Sequence, residues 1–400
     1  MRWQALPELS FDIATFNHNL NLGVTVDAYR NLKSLVFQPG VEAYNVQGGT
    51  LALSDAGGAV VAGGVVYPQT VSSPVLFVPA AASGIFTSNT RNKDVSLTLA
   101  GDITGDRATG STTSIILNGI GEGFITGVVG NGSAGGKVGI SKGGAGNWTL
   151  TGANTLTGGL TANNGSLTLD LPAQTAVVPS NSPVAMGGGA LVIKGRSTGT
   201  TATSLGDLTL TSGKGFSSIV VDRNGGDATT LTLSNSWTRN SGGSLLFDLS
   251  SGSTIVSSPV LTNSVVTGAA GGTAAGFLVK DSTGKVDYAS KDASNRIVRL
   301  ETVTAAAVTE YNGSALAVTT KNYKVSANTA LASGANTFGT LRIDSSASPV
   351  TVAMGATDLL LGKSVMIVDG SHDVSFTSTS GKLAQGGLVF ANYNTATTTI

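Results

Sequence analysis

Short runs in which leucine alternates with threonine or serine recur along the chain. In each run the leucines fall on one face of an extended strand and the small polar residues on the other. Gly, Asn or Asp lies within a few residues of every run, and these residues suit tight corners. The pattern predicts an all-β protein with strands of about 4–6 residues. The clearest runs are Thr50–Leu53, Ser96–Leu99, Ser166–Leu169, Asp207–Leu210 and Thr230–Leu233.

The segment Gly144–Leu171 is the clearest repeat unit. It contains three short strand-like stretches, and its alternation places Trp148, Leu150, Leu167 and Leu169 on one inward face. One turn of a parallel β-solenoid has this form, with about 20–25 residues in three strands. An array of β-hairpins also explains the alternation, since Asn-Gly is a good hairpin turn. The repeated spacing of inward leucines favours stacking. The corners are Gly152–Asn154, Gly158–Gly159 and Asn163–Gly165.

The rest of the chain divides around one atypical segment. Gly334–Phe338 echoes Gly152–Leu156, so the repeat style returns late in the sequence. We therefore predict a β-solenoid over 1–266, a small-residue and charged, loop-rich excursion over 267–301, and a continued, truncated solenoid over 302–400. The charged residues of the excursion are Lys280, Asp281, Lys285, Asp287, Lys291, Asp292, Arg296, Arg299 and Glu301.

Composition narrows the function. Among 400 residues, 23 are basic and 23 acidic, and there is no cysteine. A net charge of zero argues against nucleic-acid binding, which needs a basic surface. Without cysteine there are no disulfides, thiol nucleophiles or cysteine-ligated metals. Charged residues are 12% of the chain, about half the usual share of roughly 25%. Such a low-charge, glycine-rich chain is typical of repetitive β proteins outside the cell.

The sequence shows no export signal and no membrane span. Pro7, Glu8 and Asp12 interrupt the apolar stretch that a secretory signal needs. The most apolar region, Gly57–Phe86, is broken by glycines and prolines, and no stretch approaches the roughly 18–20 apolar residues of a spanning helix. We interpret the chain as part of a longer secreted protein or as a gene product whose sequence has lost its ends, and composition favours either over a complete cytoplasmic protein.

Gly144–Leu171 resembles the autotransporter-associated β-strand repeat. Leu156 replaces the usual aromatic residue, and Gly159-Leu160 stands where Gly-Thr is common. The resemblance implies a right-handed parallel β-helix exported to the cell surface or beyond, and it implies no particular activity. The matching residues are Gly146, Trp148, Thr149, Leu150, Thr151, Gly152, Asn154, Thr155, Thr157, Gly158, Thr161, Gly165 and Leu167.

Three glycine-rich motifs match catalytic or nucleotide-binding patterns without their context. Gly139–Gly143 matches the nucleophile-elbow pattern around Ser141, but a strand pattern follows where a helix is required. Gly130–Gly135 matches a dinucleotide-binding fingerprint, and again no helical pattern follows. Gly362–Ser364 lacks the earlier glycine of a P-loop, because Thr357 occupies that position. We predict no catalytic and no cofactor-binding residues, and no cofactor.

Metal-binding and sugar-stacking candidates are few. His18 and His372 lack zinc-type spacing. Asp102 and Asp106 have the side-chain oxygens that Ca²⁺ prefers, but acidic turns are usually only turns, so we predict no metal site. Of the tryptophans, Trp237 has the most polar flanks, yet we favour core positions because aromatic rings bury large apolar areas. The other two are Trp3 and Trp148.

Two functions remain open from the sequence. The first is a non-catalytic structural or adhesive protein, secreted or exposed on the outer cell surface, with surface polysaccharide or other surface components as partners. In that case loops such as Lys280–Glu301 would carry the contacts. The second is a carbohydrate-active β-helix enzyme, in which carboxylates from distant coils would meet on one face. Where the acidic residues fall on the folded chain distinguishes the two.

Overall fold

The computed structural model describes residues 12–17, 23–53, 59–89, 95–171, 177–211, 215–233, 236–240, 243–257, 276–303, 308–318, 321–361, 365–384 and 389–400. It is a β-solenoid of about 13 turns, with 56% of residues in strands and 1% in helix. The predicted all-β, parallel solenoid fold is confirmed. The chain divides into two compact units, Met1–Leu208 with Arg223–Leu231, and Thr209–Asp222 with Thr232–Ile400. No helix in the described part of the chain is long and apolar enough to cross a membrane.

The strands are short, as the alternating runs predict. The first twenty are β1 Ile13–Phe16, β2 Gly23–Leu32, β3 Ser34–Phe37, β4 Asn45–Leu53, β5 Ala59–Gly63, β6 Gln69–Val71, β7 Val75–Phe77, β8 Ser83–Asn89, β9 Ser96–Leu99, β10 Ile103–Gly105, β11 Thr112–Asn118, β12 Glu122–Ile125, β13 Val129–Gly130, β14 Lys137–Lys142, β15 Asn147–Leu150, β16 Leu160–Ala162, β17 Ser166–Asp170, β18 Val184–Met186, β19 Ala190–Lys194 and β20 Thr200–Leu205.

The remaining elements include one short helix. They are β21 Leu208–Leu210, β22 Phe216–Asp222, β23 Ala228–Leu233, β24 Trp237–Arg239, β25 Ser244–Asp248, β26 Thr254–Ser257, β27 Phe277–Lys280, β28 Val286–Lys291, β29 Ile297–Arg299, α1 Leu300–Val303, β30 Val308–Glu310, β31 Asn322–Val325, β32 Thr329–Ala330, β33 Asn336–Phe338, β34 Thr340–Ser345, β35 Val350–Gly355, β36 Leu359–Leu361, β37 Val365–Gly370, β38 Val374–Ser378, β39 Leu383–Ala384, β40 Val389–Asn392 and β41 Thr398–Thr399.

Parallel stacking organises the first unit into walls. The first wall contains β6, β9, β12, β15, β17 and β19, and the second contains β1, β3, β5, β8, β11, β14, β16 and β18. A shorter third wall is formed by the end of β4 with β7, β10 and β13. Side chains in register therefore form continuous inward rows that exclude water. One buried row of the first wall is Val71, Leu99, Ile125, Leu150, Leu169 and Ile193.

The coil assignment within Gly144–Leu171 differs from the sequence prediction. β15 pairs in parallel with β17, with Trp148 opposite Leu167. The third strand of the predicted unit therefore begins the next coil, only 19 residues after the first. Alternation fixes which side chains face inward, whereas the number of residues per coil depends on how many the corners contain. The predicted inward face is confirmed, since Trp148, Leu150, Leu167 and Leu169 are all buried.

Trp148 needs a glycine on the coil before it. Its register partner in β12 is Gly123, and a Cβ at Gly123 would overlap the indole ring. The ring is fully buried, and its Nε1–H donates to the Asn118 carbonyl oxygen at 3.1 Å. Trp148 is the largest side chain of the repeat, and its ring fits only because Gly123 has no side chain.

The second unit changes direction at the charged segment. β25 and β27 are parallel, but β28 pairs antiparallel with both β27 and β29. We call β27, β28 and β29 together with α1 the reversal. Parallel stacking then resumes in three walls, which are β30–β31–β34–β37–β40, β32–β35–β38–β41 and β33–β36–β39. These walls enclose an apolar core that includes Phe338, Leu341, Val352 and Met366. The segment Lys280–Glu301, predicted to be loop-rich, contains β28 and β29, while the predicted boundaries at 267 and 301 stay a prediction.

The wall β31–β34–β37–β40 buries both of its faces. Leu341 and Met366 face the solenoid core, whereas Val365 and Ile367 pack outside it against Tyr288 and other residues of the reversal. The Tyr288 hydroxyl donates to the Leu341 carbonyl oxygen at 2.9 Å and accepts from the Leu341 N–H at 3.0 Å. The antiparallel reversal is therefore fixed onto the outer face of this wall.

Candidate functional site

Ser141 does not lie on a nucleophile elbow. It occupies a wall position of β14, half-buried on the outward face, and the Nδ2 of Asn163 lies 3.3 Å from its hydroxyl. The next element is strand β15, so the helix that an elbow requires is missing here. His372 belongs to the second unit, where its Nδ1 lies 2.8 Å from the Ser345 carbonyl oxygen, and His18 lies outside the described residues.

The other glycine motif forms a corner. Gly130 ends strand β13, and the Asn131 side-chain oxygen accepts the backbone N–H groups of Val138 and Thr157. Strand β14 follows this corner, whereas a dinucleotide-binding site requires a helix there. The Gly362–Ser364 motif lies outside the described residues.

Asp102 and Asp106 join one coil to the next. The Asp102 carboxylate accepts the Val128 N–H at 2.9 Å, and the Asp106 carboxylate accepts the Ala134 N–H at 3.1 Å. The second unit repeats this arrangement, since the Asp358 carboxylate accepts the Lys382 N–H and the Asp373 carboxylate accepts the Thr397 N–H. Within the described residues no group of three or more His, Asp or Glu side chains is arranged to hold a metal ion. These acidic corners satisfy backbone donors, which is a structural role.

The echo between Gly152–Leu156 and Gly334–Phe338 reflects a shared corner structure. Asn154 and Asn336 are both buried, and each side-chain N–H donates to the carbonyl oxygen two residues earlier. The Asn154 oxygen also accepts the Val129 N–H at 2.7 Å. Both asparagine side chains therefore stabilise a tight corner through hydrogen bonds on its buried side.

The tryptophans are used for packing. Trp148 is fully buried, in agreement with the core prediction. Trp237 is half-buried and lies 5.4 Å from the ring centres of both Phe247 and Phe277. Trp3 lies outside the described residues. Trp148 therefore has no exposed ring on which a sugar could stack, and Trp237 packs against two phenylalanine rings.

Lys142 is a buried cation that the sequence analysis missed. It stands in an inward row of the second wall, between Leu117 of β11 and Ala162 of β16. Its side chain has no exposed surface, and its Nζ donates to the carbonyl oxygens of Gly144 and, at 3.3 Å, Asn164. Burial lowers the pKa of Lys142 to about 8. The inward position of Lys142 follows from strand alternation, since Lys142 lies two and four residues after the inward residues Ile140 and Val138.

The free energy of unfolding should depend on pH through Lys142. Between about pH 8 and pH 10.5 the unfolded chain holds a proton that the folded chain has released, so stability rises with pH across this window. Lys142→Met should remove this dependence, so its stability relative to wild type should fall by about 2 kcal/mol between pH 7 and pH 10. Urea unfolding at the two pH values measures the change. Lys137→Met, at an exposed position of β14, is the control; an equal shift there would contradict the assignment.

Acidic residues from separate coils do converge in the second unit, around Arg342. The guanidinium lies 3.0 Å from the Glu301 carboxylate, 3.2 Å from Asp369, 3.6 Å from Asp344 and 3.8 Å from Asp287. Parallel register brings together Arg342 and Asp344 of β34 with Asp369 of β37. The antiparallel reversal supplies the other two carboxylates. We call these five residues the Arg342 cluster.

Neighbouring cations and hydrogen bonds favour the charged forms of Glu301 and Asp344. Burial opposes the charge on Glu301, but Arg342 and Lys324 outweigh it and lower the pKa of Glu301. For Asp344, too, burial is outweighed, by hydrogen bonds from Ser346 and by Arg342, and its pKa is lowered. Asp287 differs, because burial raises its pKa despite Arg342. Lys324 adds contacts of 3.3 Å to both Glu301 and Asp344.

The Arg342 cluster differs from a glycosidase site in its exposure to solvent, because a glycosidase needs carboxyl groups that the substrate can reach. Asp287 has the raised pKa that a general acid needs, yet its side chain is only 4% exposed. The cavity beside it has a volume of about 10 Å³, which is room for one water molecule. A polysaccharide therefore has no path to this carboxyl group in the described structure. The arrangement pairs buried charges at the reversal, which is a structural role.

A second, larger depression lies beside the cluster. It has a volume of about 310 Å³ and is open to solvent. Its walls come from the corner 249–254, the end of β27, and β29 with α1. Arg299 is anchored there by the Asp281 carboxylate at 2.5 Å and lies 3.7 Å from Glu301. Sequence reasoning grouped these charges as one segment, but their pairing depends on the reversal.

Comparison with known proteins identified no relative of this chain. No family model, curated protein or solved structure matches the chain. The resemblance of Gly144–Leu171 to the autotransporter-associated repeat therefore stays a prediction.

Proposed function

We propose that this chain is a non-catalytic structural or adhesive β-solenoid, exported to the cell surface or beyond in the manner of an autotransporter passenger. The observation that supports this most is the outer face of the first wall. One outward row reads Thr70, Thr98, Phe124, Thr149, Thr168 and Val192, and the next reads Ser96, Glu122, Asn147, Ser166 and Ala190. Seven of these eleven side chains carry a neutral hydroxyl or amide group, and a face rich in such groups suits weak, repeated contacts with polysaccharide.

The distribution of the acidic side chains supports the same proposal. In the described contacts, Asp102 and Asp106 bond the backbone of the next coil, and the carboxylates of the Arg342 cluster are paired with cations. A carbohydrate-active enzyme needs two carboxylates placed on either side of an accessible glycosidic bond. Asp287, which has the raised pKa, is enclosed. The enzyme alternative thus lacks an observation that favours it.

Retention on insoluble polysaccharide tests the adhesive role. The purified chain is mixed with cellulose, chitin or bacterial cell walls, and the fraction that sediments is measured together with new reducing ends in the supernatant. We expect retention without new ends. The triple variant Thr98→Val, Thr149→Val, Thr168→Val should sediment at least about 10-fold less, because the outward hydroxyls are lost.

The matched control is the triple Thr→Ser variant at the same positions, which keeps the hydroxyls. Circular dichroism verifies that both variants keep their strands. The adhesive proposal fails if the wild-type chain is retained on none of the three surfaces, or if the valine and serine variants bind equally. Release of new reducing ends by the wild-type chain contradicts the non-catalytic part.

A further inference from the structure

The open depression of the second unit combines three kinds of surface. Its floor includes the buried apolar residues Leu249, Val279 and Ile297. Two guanidinium groups and one carboxylate line it, from Arg296, Arg299 and Asp281. The remaining lining is rich in hydroxyl groups, from Ser253, Thr254, Ser282 and Thr302. A volume of about 310 Å³ is at the lower end of the range for small-ligand pockets.

The Arg299–Asp281 pair is held in place before any ligand arrives. The Asp281 carboxylate accepts the Thr283 N–H at 2.9 Å and its hydroxyl at 2.6 Å, while its other oxygen accepts from Arg299. Burial opposes the charge on Asp281, but these bonds from Thr283 and Arg299 outweigh it and lower its pKa. The Arg299 side chain is only 12% exposed. Fixed groups of this kind lose little entropy when they bind a ligand.

A guanidinium beside a carboxylate fits a pair of neighbouring sugar hydroxyls. Each hydroxyl group both donates and accepts, so one hydroxyl can donate to Asp281 while its neighbour accepts from Arg299. The apolar floor suits the C–H face of a pyranose ring. A purely anionic ligand fits less well, because Arg296 and Arg299 are already paired with Asp292 and Asp281.

We infer that this depression binds a single pyranose unit of a neutral polysaccharide through two adjacent ring hydroxyls. The inference rests on the proposed adhesive function and gives it a specific contact point on the second unit. The wall of hydroxyl groups on the first unit supplies weak repeated contacts, whereas this depression supplies one selective contact.

Ser282→Trp tests the inference, because Ser282 is exposed at the depression and an indole there would fill it. Ser348→Trp, at an exposed corner of the same unit, is the matched control. Binding of maltoheptaose, cellohexaose, chitohexaose and oligogalacturonate is measured by calorimetry on the full chain. We expect at least one neutral oligosaccharide to bind, with affinity at least about 10-fold lower in Ser282→Trp and unchanged in Ser348→Trp.

The outcomes separate this inference from the proposed function. If the Ser282→Trp chain binds oligosaccharide as well as wild type while both sediment with polysaccharide, the depression is not the site and the adhesive role stands. Binding of oligogalacturonate alone would replace the neutral ligand with an acidic one and overturn the inference. Absence of binding to all four oligosaccharides also overturns it, whatever the sedimentation assay shows.

Discussion

Arg342→Met should lower the free energy of unfolding by about 3–5 kcal/mol, because it leaves the buried Asp287 carboxyl without its cation. Arg342 is 4% exposed and contacts four carboxylates on three segments of the second unit. Asp287 is equally enclosed, so it would have to become protonated or hold an unpaired charge. Methionine retains most of the apolar packing, which separates the loss of charge from the loss of volume.

Urea unfolding followed by circular dichroism measures this loss. Arg296→Met is the control, since Arg296 is paired with Asp292 but its side chain is 56% exposed. Exposed pairs contribute at most about 1 kcal/mol. If the two variants lose the same amount, the Arg342 cluster does not stabilise the reversal as we describe.

Leu167→Asp should be comparably destabilising, by several kcal/mol, because it places a carboxylate in the inward row of the first wall. Leu167 is fully buried, with Trp148 on the coil before it and Leu191 on the coil after. An aspartate at this position would meet apolar side chains on both neighbouring coils. The charge would remain unpaired, or the carboxyl would bind a proton at the expense of stability.

Thr168→Asp is the control for the register. Thr168 lies on the outward face between Thr149 and Val192, so the new carboxylate reaches water. Its cost should stay within about 0.5 kcal/mol. Melting temperatures that fall equally in the two variants would contradict the inward and outward assignment, because a shift of one residue exchanges the faces.

The alternation of the sequence was sufficient to predict the walls. Trp148, Leu150, Leu167 and Leu169 point inward as their spacing indicates, since a period of two follows directly from strand geometry. Parallel stacking was favoured over hairpins, and the structure confirms it. The similarity of Gly334–Phe338 to Gly152–Leu156 also corresponds to a shared corner structure, in which the Asn336 amide is buried like that of Asn154.

The Arg342 cluster could not be predicted in this way. The three carboxylates from other elements, Asp287, Glu301 and Asp369, lie 27 to 55 positions from Arg342 along the chain. Their meeting depends on the number of residues in each coil and on the reversal at β28. Glycine and asparagine corners vary in length, so register between coils is not encoded by local alternation. The charged segment was predicted to be an exposed contact loop, yet Asp287 and Tyr288 are among its buried residues, because they pack on the outer face of the wall β31–β34–β37–β40.

The central claim is that the carboxylates that converge in this protein serve its fold and not a reaction. Asp287→Asn tests it most directly, since Asp287 is one of the carboxylates around Arg342 and burial raises its pKa. Polysaccharide cleavage and unfolding free energy are measured on wild type and variant together. We predict no cleavage by either protein and a loss of about 1–3 kcal/mol in the variant. Cleavage by wild type that disappears in the variant, at unchanged stability, would contradict the claim.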